Sequence, residues 1–450
     1  MTTDIKELIN KSPMTTFQVV AVAICIVLNM LDGFDVLVVA FTAAELSKAW
    51  SLNATQVGVL LSAGLIGMSI GSLVIAPLAD IWGRRVVVLG SLVFVTAGML
   101  LSALASGLYA LAALRVVTGL GIGGMLASLT VITSEYSSDK RRNLCISLYS
   151  TGYPIGAVIG GSVAAVLIAS YGWRAVYAFG GVVSLLMIPL VVMRLPESLD
   201  FLLARRTAAT LAKVNDVLQR TGHAQVSELP AVVRESHEQV GIAQLFGPAL
   251  RTQTLRIWVA FFLHMFCFYF VVSWTPKLLT AAGLSAAQGI SGGVILSLGG
   301  IAGGIVFGLL SSRFPLHVAT AGFMLCAGIM MLGFGLTATS LQTALPMAFV
   351  LGFFIYGAMM GLYALTPQLH APLLRGTGMG FAIGIGRFGG ILAPTIAGVL
   401  LDAAWKPEQV YLAFAAPMGL AMFTVYALRA STANVAAVSG QPGLEAGSSA

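Results

Sequence analysis

Twelve long stretches of this 450-residue chain carry almost no charge, and that pattern constrains the fold more than any motif in it. A helix that crosses a bilayer needs about 20 mostly apolar residues. Runs of that kind lie near residues 17–40, 55–78, 86–106, 108–134, 143–169, 173–194, 254–280, 288–311, 316–337, 342–366, 376–401 and 408–430. They are too long and too uniformly apolar for barrel strands, which alternate over about 10 residues. Only 9% of residues are charged and 58% are hydrophobic, whereas soluble domains carry about 25% charged residues. A soluble fold cannot hide that apolar surface or stay dissolved with so few charges. This excludes a soluble enzyme, a nucleic-acid binder and a disordered chain. The chain reads as an all-α integral membrane protein with twelve transmembrane helices.

The longest gap between runs, 195–253, holds Arg205, Arg206, Lys213, Arg220, Glu228, Arg234, Glu235 and Glu238. It reads as a polar, part-helical cytoplasmic loop between a six-helix unit over 1–194 and another over 254–430. The small, polar tail over 431–450 is expected to be disordered. Lys and Arg set the orientation. With the N-terminus inside, the inner segments hold Lys6, Lys11, Arg84, Arg85, Lys140, Arg141, Arg142, the central-loop bases, Arg313, Arg375 and Arg429. The outer segments hold Lys48, Arg174, Lys277 and Lys406. By the positive-inside rule both termini are cytoplasmic, and the net charge of +7 reflects topology rather than an anionic partner. The first run is too long for a signal-peptide core, contains two aspartates and precedes no A-x-A site, so it is expected to remain in the mature protein. Cys25, Cys145, Cys267 and Cys326 have unrelated spacings and read as free buried thiols, with no metal-ligand cluster.

The two halves echo each other. Arg142 is followed twelve residues later by Pro154, then Gly156, Gly160 and Gly161. Arg375 is followed twelve residues later by Arg387, then Gly389, Gly390 and Pro394. A similar offset brings Gly83-Arg84-Arg85 near Arg313. Parallel repeats of this kind mark transporters whose halves rock about a site at the membrane midplane.

An ionisable residue inside a span is costly and is a functional hypothesis by default. Leu31-Asp32-Gly33-Phe34-Asp35-Val36 places two carboxylates on one helix face. Burial and mutual repulsion oppose ionising both, which suits a proton carrier. The alternative is a span that ends early, with the pair as a surface cap. Arg115 stands beside a glycine-rich face in the fourth span, available to an aspartate of the first span or to a substrate carboxylate. Arg387, in Gly384-Ile385-Gly386-Arg387-Phe388-Gly389-Gly390, suits bidentate capture of a carboxylate, with Phe388 as a stacking surface. Its alternative is an ion pair with an acid of the other half. His264 in span seven reads as a ligand or a hydrogen-bonded core residue. Around it, Phe261, Phe262, Phe266, Phe268, Tyr269, Phe270 and Trp274 are numerous enough to line an aromatic pocket. Glu135 reads equally as a cytoplasmic gate, a cap or part of the transport chemistry.

Asp80-Ile81-Trp82-Gly83-Arg84-Arg85 resembles the loop signature of the major facilitator superfamily, although Ala76 stands where that signature starts with Gly. The run after Arg115 and Leu195-Pro196-Glu197-Ser198 resemble further signatures of that superfamily. The Asp-Gly-Phe-Asp of span one and Gly-Arg-Phe-Gly of span eleven resemble its aromatic acid:proton symporters, bacterial importers of benzoate-type acids. The resemblance implies two pseudo-symmetric six-helix bundles in one monomeric chain of the inner membrane. It implies proton coupling by Asp32 and Asp35 and binding of the substrate carboxylate by Arg387; Arg115, His264, Phe388 and Trp274 are further binding candidates from the reading of the spans themselves. It also implies a cytoplasmic latch of Asp80, Arg84 and Arg85 that closes as the halves rock; Gly83, Glu135 and Arg142 are further gating candidates. The second-half copy, Gly308 to Arg313, lacks the acid, so a latch there is weaker or absent. Gly152-Tyr153-Pro154-Ile155-Gly156 reads as a packing and hinge sequence.

Together these features predict a secondary transporter, not an enzyme, with no cofactor, metal or nucleic-acid partner. Its expected cargo is a small aromatic carboxylate such as a hydroxybenzoate or gentisate, moved with protons across the bilayer. Alternatives are a symporter for a non-aromatic acid such as muconate, or a drug exporter, which two buried arginines oppose.

Overall fold

The computed structural model describes residues 5–205, 207–229, 245–247, 250–337, 340–370 and 374–428. Among them are twelve helices long and apolar enough to cross a membrane, and no strand. The first six are α1 (Thr16–Trp50), α2 (Ala54–Val74), α3 (Arg84–Ser102), α4 (Leu108–Glu135), α5 (Arg142–Tyr171) and α6 (Trp173–Arg194). The second six are α7 (Arg251–Ala281), α8 (Ala286–Leu310), α9 (Leu316–Thr337), α10 (Leu341–Leu365), α11 (Arg375–Asp402) and α12 (Pro407–Tyr426). In hydrocarbon a helix satisfies its backbone within one segment, which is why long uncharged runs become helices. The tail over 431–450, together with Arg206, Arg234, Glu235, Glu238 and Arg429, lies outside the described residues.

The largest departure from the expected boundaries is in α1. It continues to Trp50 instead of stopping near residue 40, because Phe41, Thr42, Ala43 and Leu46 keep a buried face in register. Ser51, in the left-handed region at φ 50°, then ends it. Asp32 and Asp35 therefore lie in mid-helix and are not a surface cap. The central loop contains helices Leu199–Ala204 and Ala208–Arg220. The second lays Val214, Val217 and Leu218 inward and sets the Arg220 guanidinium over the Phe17 ring.

Packing follows the repeat. In the first half α1 packs on α5, α2 on α4, and α3 on α4 and α6; in the second half each helix six places later takes the corresponding partner. Particular contacts recur as well. A Cβ on Gly67 would stand 2.2 Å from the Val116 carbonyl, and one on Gly299 would stand 1.9 Å from that of Phe349. Gly156 approaches Met30 as Gly389 approaches Phe262. Thr42 meets the Tyr177 hydroxyl at 3.0 Å, and Thr275 meets that of Tyr411 at 2.8 Å. Small residues permit this backbone contact, and dispersion then holds helices that gain little from hydrophobic association in lipid.

The halves meet where α2 packs on α11, α5 on α8 and α1 on α7. Hydrogen bonds join them mainly at the end where α1 turns into α2. The Asp402 carboxylate accepts from the Ala54 and Thr55 amides at 2.9 and 2.8 Å. Ser62 donates to the Ile391 carbonyl at 2.7 Å, and Lys277 donates to Ser47 at 2.9 Å.

Candidate functional site

The site begins at Gly33, between the two aspartates. A Cβ there would lie 2.0 Å from the Tyr153 carbonyl oxygen, so α5 crosses α1 in backbone contact at this point. That crossing sends the two carboxylates to different neighbours. Asp35 turns into the first half, where Arg115 of α4 donates to it at 2.9 Å. Arg115 is 2% exposed. It donates further to Ser102 at 2.9 Å and Thr118 at 3.0 Å, and lies 5.0 Å from the Tyr177 ring centroid. Of the readings open for Arg115, the ion pair with a span-one aspartate is the one the structure adopts. A pair so enclosed needs added hydrogen bonds to hold both charges; Ser102 and Thr118 supply them to one terminal nitrogen of Arg115, while its Nε has no partner.

Asp32 is 3% exposed, and its Oδ1 has no hydrogen-bond partner. Asp35 and Arg387 lie within its electrostatic range. Arg387 projects from α11 across the interface and donates to the Met68 carbonyl at 3.0 Å and to the Ser72 hydroxyl at 2.5 Å. It forms no ion pair among the described residues. Its direction follows from the neighbouring glycines. Gly386, Gly389 and Gly390 lay one face of α11 onto Phe261, Phe262 and Tyr269 of α7, which leaves Arg387 facing α2. Leu65, Met68, Tyr269 and Arg387 together line a small cavity between the halves.

Other expected site residues are not gathered there. Phe388 is 61% exposed, on the same apolar stripe as Leu392, Ile396 and Val399, so it faces outward and offers no stacking surface beside Arg387. Helical geometry separates adjacent residues by about 100°, so neighbours rarely share a face. The Trp274 indole donates to the Pro394 carbonyl at 3.0 Å and ties α7 to α11. His264 is fully buried beside Phe268, against the backbone at Ile355, and neither ring nitrogen completes a hydrogen bond.

At the end of the bundle carrying α3's start, Arg84 donates to Glu135 at 2.8 Å and to Ser198 at 2.9 Å. Glu135 also accepts from the Leu199 amide at 2.8 Å and so caps the helix that follows. Asp80 lies 3.6 Å from Arg84 at the surface. Gly83, at φ 103°, adopts a conformation that favours glycine, and its missing Cβ leaves room for the Glu197 carboxylate. Glu197 accepts from the Arg85 amide at 3.0 Å, and the Arg85 side chain donates to the Val192 carbonyl. Arg142 pairs with Asp139 at 2.9 Å. These contacts join parts of the first half to one another and to the start of the central loop, and none reaches the second half. Glu197 and Ser198 are therefore members of the network, although the sequence marks them only as a motif after span six. The tyrosines beside Asp32 were also not singled out by sequence: Tyr153 reads as packing and Tyr269 as one aromatic among many.

The chain resembles known transporters over nearly its whole length. It is 31% identical over 430 residues to the 4-hydroxybenzoate transporter PcaK of Pseudomonas aeruginosa, covering 94% of this chain and 95% of that one. It is 33% identical to the gallate transporter of Pseudomonas putida, covering 89% of each. Among solved structures, the D-xylose-proton symporter shares the fold with a TM-score of 0.70 at 16% identity, over 91% of this chain and 98% of that one. The sequence pattern of the Major Facilitator Superfamily matches residues 22–394, and the protein belongs to that superfamily.

Proposed function

We propose that the protein is a proton-coupled secondary transporter that imports a hydroxybenzoate- or gentisate-like acid across the bacterial inner membrane. In this reading the chain acts as a monomer with both termini in the cytoplasm. The observation that carries it is the pairing pattern at the interface. Arg387 crosses between the halves without an acidic partner among the described residues, while Asp32, buried and incompletely hydrogen-bonded, stands within its electrostatic range. The names of the relatives support an aromatic acid as cargo.

The mechanism follows from charge. A carboxylate docks on the Arg387 guanidinium, whose planar fork matches it bidentately. Protonation of Asp32 removes the remaining buried charge. A site carrying both cargo and proton is then cheaper to move through the membrane interior than a half-loaded one, and that difference couples the fluxes. Asp35 is occupied by Arg115 and serves to hold the first half together. Asp402, Ser62 and Lys277 seal the periplasmic side, and the Arg84–Glu135–Ser198 network braces the cytoplasmic ends of α3 and α4 as the halves rock.

Uptake of labelled 4-hydroxybenzoate into proteoliposomes, with an inward proton gradient and with it collapsed, tests this reading. Gradient-dependent uptake that disappears in Asp32→Asn is the expected result. Gradient-independent uptake would make the protein a facilitator and overturn the coupling.

A further inference from the structure

The loop helix Ala208–Arg220 spaces Lys213, Asp216, Val217 and Arg220 at i, i+3, i+4 and i+7, which puts all four on one face. That face closes one side of a cavity of about 380 Å³ at the ends of the membrane helices. Arg85, at the start of α3, and Arg194, the last residue of α6, line it from the bundle. Arg194 and Arg220 also line a second space beside Phe17, at the start of α1. Four cationic side chains therefore converge where three spans end.

The cavity holds two acids, and both are engaged. Glu197 Oε1 accepts from the Arg85 and Ser198 amides at 3.0 and 2.9 Å. Asp216 accepts from the Arg220 Nε at 3.0 Å. Arg194 and Lys213 form no ion pair among the described residues. The Arg85 side chain donates to the Val192 carbonyl, while its Nε is buried without a partner. Four positive charges against two negative ones leave an excess of two. A phosphate would neutralise that excess through charge-assisted hydrogen bonds.

Part of the lining is apolar and exposed. Val86 of α3 and Val192 and Met193 of α6 contribute to the cavity and to the outer surface of the bundle. Farther along the same two packed helices, Val93, Leu186 and Leu190 are exposed as well. We propose that this cavity binds an anionic phospholipid. Its phosphate sits among Arg85, Arg194, Lys213 and Arg220, and its acyl chains lie along the apolar face of α3 and α6. The ends of membrane-spanning helices lie at headgroup level, where basic pockets between helices suit anionic headgroups. A soluble phosphate brings the same charge but leaves the apolar face bare. Because two of the bases belong to the loop helix and two to the bundle, the bound lipid holds the one against the other.

The test is lipid binding by the purified full-length protein, read by native mass spectrometry. The probes are phosphatidylglycerol, phosphatidylethanolamine and soluble glycerol 1-phosphate. Wild type is expected to retain one phosphatidylglycerol about tenfold more tightly than phosphatidylethanolamine. Arg194→Gln and Lys213→Gln should each weaken phosphatidylglycerol about fivefold, and together about 25-fold. Lys140→Gln, which removes an exposed base outside the cavity, should change nothing. Equal affinities for the two lipids, wild-type affinity in the double variant, or an equal loss in Lys140→Gln would overturn the site. Displacement of the lipid by glycerol 1-phosphate at matching concentration would assign the bases to a soluble phosphate and overturn the lipid. Should the double variant not fold, the three probes on wild type still decide. Binding is read without transport, so its failure leaves the proposed function standing.

Discussion

Arg115 reaches from α4 to Asp35 at 2.9 Å, and this single ion pair separates the roles of two aspartates that stand one helical turn apart. Asp35 is tied into the first half, whereas Asp32 keeps an unpartnered oxygen beside the interface. Replacing them by asparagine should therefore have different consequences. Asp35→Asn leaves the Arg115 charge buried without a counter-ion and should destabilise the protein by about 3–5 kcal/mol. Asp32→Asn should fold normally and lose gradient-driven uptake. Thermal unfolding in detergent, read beside proteoliposome uptake, separates the two; equal unfolding midpoints would contradict the assignment.

Arg387 is held by one backbone carbonyl and one serine, so its charge remains available to an anion. Arg387→Lys preserves the charge but loses the planar fork that grips a carboxylate at two points. The KM for an aromatic acid should rise about tenfold or more, corresponding to roughly 1.4 kcal/mol or more of lost binding. An unchanged KM would remove Arg387 from the binding site.

Gly33 permits the backbone crossing of α1 and α5, since a Cβ would stand 2.0 Å from the Tyr153 oxygen. Gly33→Ala forces the helices apart and should cost about 1–3 kcal/mol, as overpacking does elsewhere. It should also disturb both aspartates together, reducing uptake without abolishing membrane insertion. Wild-type stability with normal uptake would mean that the two helices are not held so closely.

Asp402 caps the start of α2 from the opposite half, with both carboxylate oxygens on backbone amides. Losing such a cap costs about 0.5–2 kcal/mol, and here the lost contact is one that joins the two halves. In an Asp402→Ala background, a cysteine introduced at Ser62 should react several-fold faster with a membrane-impermeant thiol reagent added from outside. An unchanged labelling rate would show that the cap does not hold the halves together.

Much of the architecture is legible in the sequence, because the forces that set it are local. An uncharged run of bilayer length has few stable conformations in hydrocarbon besides a helix. The offset between Arg142 and Arg375 marks a repeat that the structure reproduces in the Thr42–Tyr177 and Thr275–Tyr411 contacts. The presence of Asp32, Asp35, Arg115 and Arg387 inside spans likewise follows from the sequence, since ionisable groups stand out against apolar neighbours.

Which of those groups meet was decided by tertiary structure. Spacing places both aspartates on one face of α1, but only the crossing of α5 at Gly33 and the approach of α4 direct Asp35 to Arg115 and leave Asp32 free. Phe388 adjoins Arg387 in sequence, yet the glycine face of α11 packs on α7, turning Arg387 to α2 and Phe388 outward. Trp274 likewise bonds to Pro394 and does not line the cavity beside Arg387. Glu197 joins the network only because the chain after α6 folds back beneath Gly83. Burial and hydropathy act on each segment by itself and can be read from it. A hydrogen bond or ion pair needs two groups within about 3 Å, and here the groups lie tens to hundreds of residues apart, so helix packing alone selects the partners.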